Sequence, residues 1–200
     1  SLSDHDAVFP PTAADSDGTD GALDVAGADT VVNDYAALTG DVDAGATAVT
    51  VDDGTAFSDD DLILIIQMQN ADDASGQYEY RRIAAGGGTD TFTLDSALEN
   101  DYRSGTFDTQ NARATQVVRV PQYTTVNVPA DTSITAPAWD GMTGGIVAFV
   151  ASGAVTVATD GSIDVSGKGF RGVSHPSIYR NQDGFQGESI TGLGTQSRAA

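Results

Sequence analysis

Residues 62–68 read Leu-Ile-Leu-Ile-Ile-Gln-Met, the longest apolar run in the chain. Side chains alternate between the two faces of a strand, so the leucines share one face and Ile63 and Ile65 lie on the other, which turns polar at Gln67. A strand that is apolar on both faces lies inside a sheet rather than at its edge. The run is too short for a membrane-spanning helix, which needs about 20 residues. It therefore predicts a central strand of a β domain and no membrane span.

Short β-type segments separated by Gly, Asp, Asn or Pro occur on both sides of this run, and no segment has the period of a helix. We therefore predict an all-β chain: a sandwich or small barrel, then a short β-helix-like region or second sheet, with an extended acidic arm and a Gly-rich end. From residue 123 the strands shorten and recur at nearly constant spacing, which fits rungs of a parallel β-helix as well as a second sandwich sheet. The predicted regions are an arm at 1–27, the sandwich or barrel at 28–122, the short-strand region at 123–170 and an extended segment at 171–200.

The charge of the chain restricts its environment and partners. There are 29 acidic and 9 basic residues, a net charge of −20; 26 of the acids are Asp and eight of the bases are Arg. This pattern is typical of proteins from saturated salt, where a Debye length of about 3 Å or less screens self-repulsion; an acidic secreted protein from seawater is the alternative. Nucleic acid is not an expected partner because phosphate binding needs patches of Lys and Arg. The chain has no Cys and therefore no disulfide.

Several strings of the sequence together resemble a recurrent β module. They are Gly-Ala-Thr-Ala-Val-Thr-Val from Gly45, Asp-Leu-Ile-Leu-Ile-Ile-Gln-Met-Gln from Asp61, Gln-Val-Val-Arg-Val-Pro-Gln-Tyr from Gln116, Gly-Gly-Ile-Val-Ala-Phe from Gly144 and Gly-Lys-Gly-Phe-Arg-Gly from Gly167. The module resembles one near the start of long glycine-rich surface proteins, which include gliding-motility and adhesin-like proteins and tail-fibre proteins of tailed viruses. The resemblance covers residues 29–172. The chain departs from it after Phe-Arg-Gly, where such proteins run into polyglycine.

This resemblance implies a structural or adhesive role and supplies no catalytic residues. We expect a non-enzymatic tail or tail-fibre protein in the virion of a tailed virus with a halophilic host, acting in attachment to a host receptor. The implied partners are further copies in a homo-oligomer, such as a trimer, other tail proteins of the virion, and a receptor that includes a glycan. The polar, acidic residues 1–6 show no leader, which favours the virion over the first alternative, a secreted adhesin on a halophile's cell surface. The second alternative is a carbohydrate-cleaving tail spike.

One acidic cluster has the spacing of a cation site. Asp15, Asp17 and Asp20 offer carboxylates at the intervals of a calcium loop, but the distal bidentate Glu of a full loop is missing. A solvated linker is the alternative for these residues, and no other cofactor is expected. We interpret residues 59–61 and 72–73, which are also Asp-rich, as solvated corners.

The residues that could support catalysis are few. His5 and His175 each stand alone, without the nucleophile and acid of a triad, so surface positions are expected for both. A glycosidase needs two carboxylates about 5 to 10 Å apart, and the predicted rungs offer only Asp160 and Asp164.

Aromatic residues suggest a place for a sugar. Tyr78, Tyr80 and Tyr123 could form a sugar-binding face, and the first two share a face at strand spacing. The same spacing is equally typical of half-buried core residues. The single Trp, Trp139, lies between Pro137 and Gly141 and is a candidate to cover an end rung.

Overall fold

The computed structural model describes residues 16–70, 74–105, 113–171 and 188–190. Within these ranges the chain is all-β, as the sequence predicts. The strands, numbered in chain order, are β1 Gly21–Asp24, β2 Thr30–Val31, β3 Tyr35–Ala37, β4 Ala48–Thr50, β5 Leu62–Asn70, β6 Tyr78–Ala85, β7 Thr91–Leu94, β8 Arg113–Arg119, β9 Gln122–Val128, β10 Ser133–Thr135, β11 Val150–Ala151, β12 Val155–Val157 and β13 Ser162–Ile163. Among the described residues, no helix long and apolar enough to cross a membrane is present.

Six strands form one antiparallel sheet that curls into a half-barrel. Their order is β3-β8-β5-β6-β7-β4, and the two edge strands meet through a bridge between Leu38 and Val51. Beside this bridge the Thr39 N–H donates to the Thr50 carbonyl at 3.0 Å. All six strands contribute to one buried core, whose members are Ala36, Leu38, Val49, Val51, Phe57, Ile63, Ile65, Ile83, Phe92, Leu94, Leu98, Tyr102 and Val117.

Strand β5 lies inside this sheet, between β8 and β6, as its two apolar faces predict. Ile63 and Ile65 are fully buried inside the half-barrel. Leu62 and Leu64 face outward and pack in a second cluster. Both faces of the strand are therefore removed from water, which explains why the chain places its longest apolar run here.

The remaining strands stack in parallel as three coils of a short solenoid. Strand β9 of the second coil pairs with β1 of the first coil and with β11 and β12 of the third, and β10 pairs with β2 and β13. Val155 is paired with Val126 and Ile163 with Ile134, so β12 and β13 of the third coil each follow their partners in the second coil by 29 residues. Of the two architectures left open for residues 123–170, parallel pairing is that of the β-helix.

The half-barrel is inserted into the solenoid between its first and second coils. Strand β2 precedes the six antiparallel strands and β10 follows them, yet Thr30 is paired with Ile134. The predicted boundary after residue 27 therefore falls between two strands of one coil, and the boundary after residue 122 falls inside β9. Strand β1, within the predicted arm, is docked on β9.

Aspartates occupy tight corners of the solenoid. Asp131 and Asp160 have φ angles of 62° and 69°, in the left-handed region where Asp is better tolerated than most residues. The Asp131 N–H donates to the Asp160 carbonyl at 3.2 Å, so the two corners are stacked. At Gly161, which follows, an added Cβ would lie 2.7 Å from the Pro129 carbonyl oxygen, so the coil needs glycine there. Some of the many aspartates are thus explained by the left-handed backbone conformation that these corners require.

The outer face of the half-barrel packs on the segment that leads into the third coil. Leu62, Leu64, Val118, Val120 and Val150 form the buried part of this contact. Polar groups fix it as well: the Tyr35 hydroxyl donates to the Ile146 carbonyl at 2.6 Å, and the Gln116 side chain exchanges two hydrogen bonds with the Gly144 backbone. The half-barrel and the solenoid therefore share a packed interface, and it positions the third coil beside β6.

Candidate functional site

The third coil, the last one that the described residues form, has an exposed apolar surface. Val155, Val157 and Ile163 are 46%, 43% and 42% exposed. Their partners in the second coil are almost fully buried: Val126 is paired with Val155, Val128 with Val157 and Ile134 with Ile163. The inward ladder of β-branched side chains thus continues into a coil that no described residue covers, and we call Val155, Val157, Ile163 and Val165 the end-coil face.

A groove of about 420 Å³ adjoins this face. Tyr80 of β6 lines it together with Phe149, Ile163 and Val165. Tyr80 forms an edge-to-face pair with Tyr78, with ring centroids 6.0 Å apart, and Tyr78 is 38% exposed. The groove can therefore accept apolar side chains or the apolar face of a sugar ring.

The tyrosine hydroxyl in the groove stays protonated. Burial, followed by the neighbouring Tyr78, raises the pKa of Tyr80 above its ordinary value. The hydroxyl is thus available as a hydrogen-bond donor and acceptor at neutral pH, and it is not a nucleophile there.

The third predicted tyrosine lies elsewhere. Tyr123 is 8% exposed in the solenoid core, with its ring centroid 6.1 Å from that of Phe149. The structure thus brings Tyr78 and Tyr80 together and separates Tyr123 from them. Sequence reasoning did not single out Phe149, although the apolar string Gly-Ile-Val-Ala-Phe-Val from Gly145 was the available signal.

The predicted calcium ligands that the structure describes are held by arginines. The Asp17 carboxylate accepts from the Thr19 N–H at 3.0 Å and faces Arg82 at 3.4 Å. Asp20 pairs with Arg119 and also accepts from the Gln122 N–H at 2.7 Å. Asp15 lies outside the described residues, so the three-carboxylate site stays a prediction. Within the described ranges, no cluster of three or more potential metal ligands occurs.

Arg119 joins the first coil to the half-barrel. Its guanidinium contacts Asp20 on one side and donates to Asp61 at 2.9 Å on the other. The Asp61 side chain is only 12% exposed, which differs from the solvated corner expected for it. Asp59 remains exposed and accepts from the Gly87 N–H at 2.8 Å. Residues 72–73 are outside the described ranges.

The two carboxylates considered for sugar cleavage both lie on the exposed third coil. Asp160 forms its left-handed corner, and Asp164 accepts from the Ser166 N–H at 2.7 Å. Hydrogen bonds from Ser166 lower the pKa of Asp164, whereas a catalytic acid needs a raised pKa. The carbohydrate-cleaving alternative stays a hypothesis, and His5 and His175 are outside the described residues.

No protein-family model and no curated protein matches the chain. Among solved structures it is similar to phage tailspikes. The Gp54 tailspike of Acinetobacter baumannii bacteriophage AP22, in complex with A. baumannii capsular saccharide, is 13% identical with a TM-score of 0.35, over 57% of this chain and 22% of that one. The tailspike gp61 of Pseudomonas phage phi297 is 14% identical, with a TM-score of 0.34 over 54% and 20% of the two chains. The tailspike gp49 of Pseudomonas phage LKA1 is 15% identical, with a TM-score of 0.33 over 59% and 27%. The aligned part is thus about a quarter or less of each tailspike.

Proposed function

We propose that this chain is a non-enzymatic structural part of a virion tail appendage, from a tailed virus with a halophilic host, and that it acts in attachment to the host surface. The observation that carries the proposal is the solenoid of three coils in register, with a half-barrel inserted after the first coil and an apolar ladder that reaches the end-coil face. Solenoids grow by stacking coils on such faces, which makes them suited to elongated appendages.

Ion pairs between the half-barrel and the first coil support a structural role. Arg82 and Arg119 bind acidic residues from the first coil while their own strands belong to the half-barrel. This contact and the buried cluster of Leu62, Leu64 and Val150 hold the two substructures in one orientation. A rigid junction of this kind fits the base of an appendage better than a flexible linker does.

For the receptor, we propose a surface glycan. The exposed Tyr78 offers an aromatic surface beside Tyr80, which lines the groove, and sugars stack on such surfaces through their apolar faces. The acidic composition supports a host that lives in high salt, where a net charge of −20 is screened.

The deciding experiment is peptide mass spectrometry on purified virus particles beside a washed host-surface fraction. Enrichment in the particles, at a few copies per tail, is the expected result. Peptides found only in the cell-surface fraction would overturn the virion assignment in favour of a secreted adhesin. A polysaccharide-clearing halo around a drop of the pure protein on a host lawn would overturn the non-enzymatic assignment.

A further inference from the structure

A second cavity, of about 460 Å³, lies on the half-barrel, apart from the end-coil face. Its wall is built mainly from amide and charged side chains: Asn70, Gln77, Glu99, Asn100, Asp101 and Arg103. These residues come from the end of β5, the position just before β6 and the segment that follows β7. The half-barrel thus carries a polar concavity as well as its apolar core.

A buried ion pair holds the loop that forms one wall. The Glu79 carboxylate is fully buried, pairs with Arg81, and accepts from the Glu99 N–H at 3.1 Å and the Asn100 N–H at 3.2 Å. Arg81 also donates to the Ala97 carbonyl at 2.8 Å. The wall is therefore fixed before any ligand arrives, which lowers the entropic cost of binding.

Further contacts fix the opposite side of the cavity. The Asp101 carboxylate accepts from the Ala44 N–H at 2.8 Å and from Arg103 at 3.1 Å, and the Gln77 side-chain amide donates to the Asp101 carbonyl. Arg103 is also bound by Asp43 at 2.8 Å. Because Arg81 and Arg103 are already engaged by carboxylates, the cavity has no free cation among its described residues to attract an anionic ligand.

The polar groups of the wall that the described residues leave unsatisfied are hydrogen-bond acceptors. Asn100 Oδ1 and Gln77 Oε1 accept no hydrogen bond within the described residues, and the Glu99 and Asp101 side chains remain 51% and 56% exposed. A ligand with several hydroxyl donors would satisfy them, whereas a ligand carrying a carboxylate would be repelled by Glu99 and Asp101.

We propose that this cavity binds a neutral saccharide unit and disfavours uronic acids. Its volume is in the range of small-molecule sites, about 300 to 1,000 Å³. The proposal rests on the proposed attachment to a host glycan and adds a second contact place, separate from Tyr78 and Tyr80, and a charge preference. The described residues of the wall include no aromatic ring, so we expect binding through hydrogen bonds with a Kd of about 1 mM.

The proposal is tested with a substitution that blocks the cavity. Ala44 lines the cavity with an exposed methyl, so Ala44→Trp blocks it without removing a buried group. Ala48→Trp makes the same change at an exposed position of β4 outside the wall and serves as the matched control. Asn100→Ala removes an acceptor that no described residue engages, together with the 3.4 Å hydrogen bond from Asn100 Nδ2 to Glu79. Binding is measured by NMR titration of the full chain with methyl α-D-glucopyranoside, N-acetylglucosamine and glucuronate.

We expect a neutral sugar to bind the wild type and the Ala48→Trp control equally, and to bind Ala44→Trp and Asn100→Ala at least about tenfold more weakly. Glucuronate should bind the wild type at least about tenfold more weakly than the neutral sugars. Unchanged binding to folded Ala44→Trp, equal binding of glucuronate, or absence of binding by both neutral sugars would overturn the proposal. These outcomes leave the virion assignment intact, because that assignment is decided by the mass-spectrometric comparison of particles and host surface.

Discussion

Glu188 connects three distant parts of the chain through one carboxylate. Its oxygens accept from Gln69 Nε2 at 3.1 Å, from Trp139 Nε1 at 3.0 Å and from Arg171 Nε at 3.0 Å. The side chain is fully buried. Burial raises the pKa of Glu188, but the hydrogen bonds from Arg171 and Trp139 together outweigh it, so the net pKa lies below the ordinary value. The charged form is therefore the one that the fold stabilises.

We predict that Glu188→Gln lowers the free energy of unfolding by about 1 to 3 kcal/mol at about pH 7, because charge-assisted hydrogen bonds are lost. A carboxyl whose folded pKa is depressed contributes stability above its unfolded pKa of about 4.3 and loses it as pH falls through the folded value. The difference between wild type and variant should therefore shrink at about pH 3. Urea unfolding at the two pH values measures it.

The control for this substitution is Glu99→Gln. Glu99 is one of only three glutamates, its side chain is 51% exposed, and its contact with Arg81 is long, at 3.5 Å. An exposed pair of this kind contributes little, so the control should change stability by about 0.5 kcal/mol or less. An equal loss of stability for Glu188→Gln at both pH values would show that shape, and not charge, explains the role of this residue.

Single residues also show which contacts cannot be predicted from the sequence. The indole N–H of Trp139 needs a partner when buried, but nothing in the sequence connects it with Glu188, 49 residues away. Trp139 is 2% exposed and its ring contacts Phe170, with centroids 5.9 Å apart. The alternation in residues 62–68, by contrast, depends only on neighbours along the strand, and for that reason it predicted both buried faces of β5.

At the scale of strands and coils, local patterns predicted the short strands of the second and third coils, with a β-helix and a second sheet both left open, and they missed the first coil. Val-Asn-Val in β9 and Val-Thr-Val in β12 share a spacing of 29 residues, which is visible in the sequence. The partner of Thr30 in β2 is Ile134, 104 residues later, because the half-barrel intervenes. A repeat interrupted by an insertion of that length loses its period, so β1 and β2 could not be assigned to the solenoid beforehand.

The candidate groove was predictable only in part, because it combines a local pattern with a long-range contact. Tyr78 and Tyr80 share a face by strand alternation alone. That Tyr80 lines the same groove as Ile163 and Val165 depends on how the half-barrel packs on the third coil, which is a long-range contact. The polar cavity likewise combines Asn70 with Asp101, and its wall is set by a buried ion pair that no local pattern indicates.

The ladder of the coils predicts opposite outcomes for two valines in register. Val128 is fully buried in β9, and Val157, paired with it in β12, is 43% exposed. Val128→Asp buries an unpaired charge and should unfold the chain or cost at least about 4 kcal/mol. Val157→Asp should change stability by about 0.5 kcal/mol or less, as an exposed substitution does. Thermal unfolding by circular dichroism compares them, and a Val128→Asp variant as stable as Val157→Asp would contradict the stacking of these coils.

For the molecule as a whole, the net negative charge determines how stability depends on salt. Each of the six arginines within the described residues forms an ion pair with an acid, yet the chain still carries a net charge of −20. The Arg119–Asp61 contact, at 2.9 Å, is much shorter than the Debye length of about 8 Å at physiological salt, so screening weakens it only slightly. Repulsion among dispersed carboxylates acts over longer distances, and salt reduces it more.

The thermal midpoint should therefore rise as KCl increases from about 0.15 M to above 1 M, where the Debye length falls to about 3 Å. Added salt can also act by withdrawing water from apolar surface, so sucrose at matched osmolality is the control. A rise with KCl that greatly exceeds the rise with sucrose would support screening of carboxylate repulsion as the cause. An unchanged midpoint between dilute and molar KCl would contradict adaptation to high salt, because the excess of acids over bases would then carry no measurable cost at low salt. Equal rises in both solutes would assign the stabilisation to solute exclusion, and the acidic surface would need another explanation.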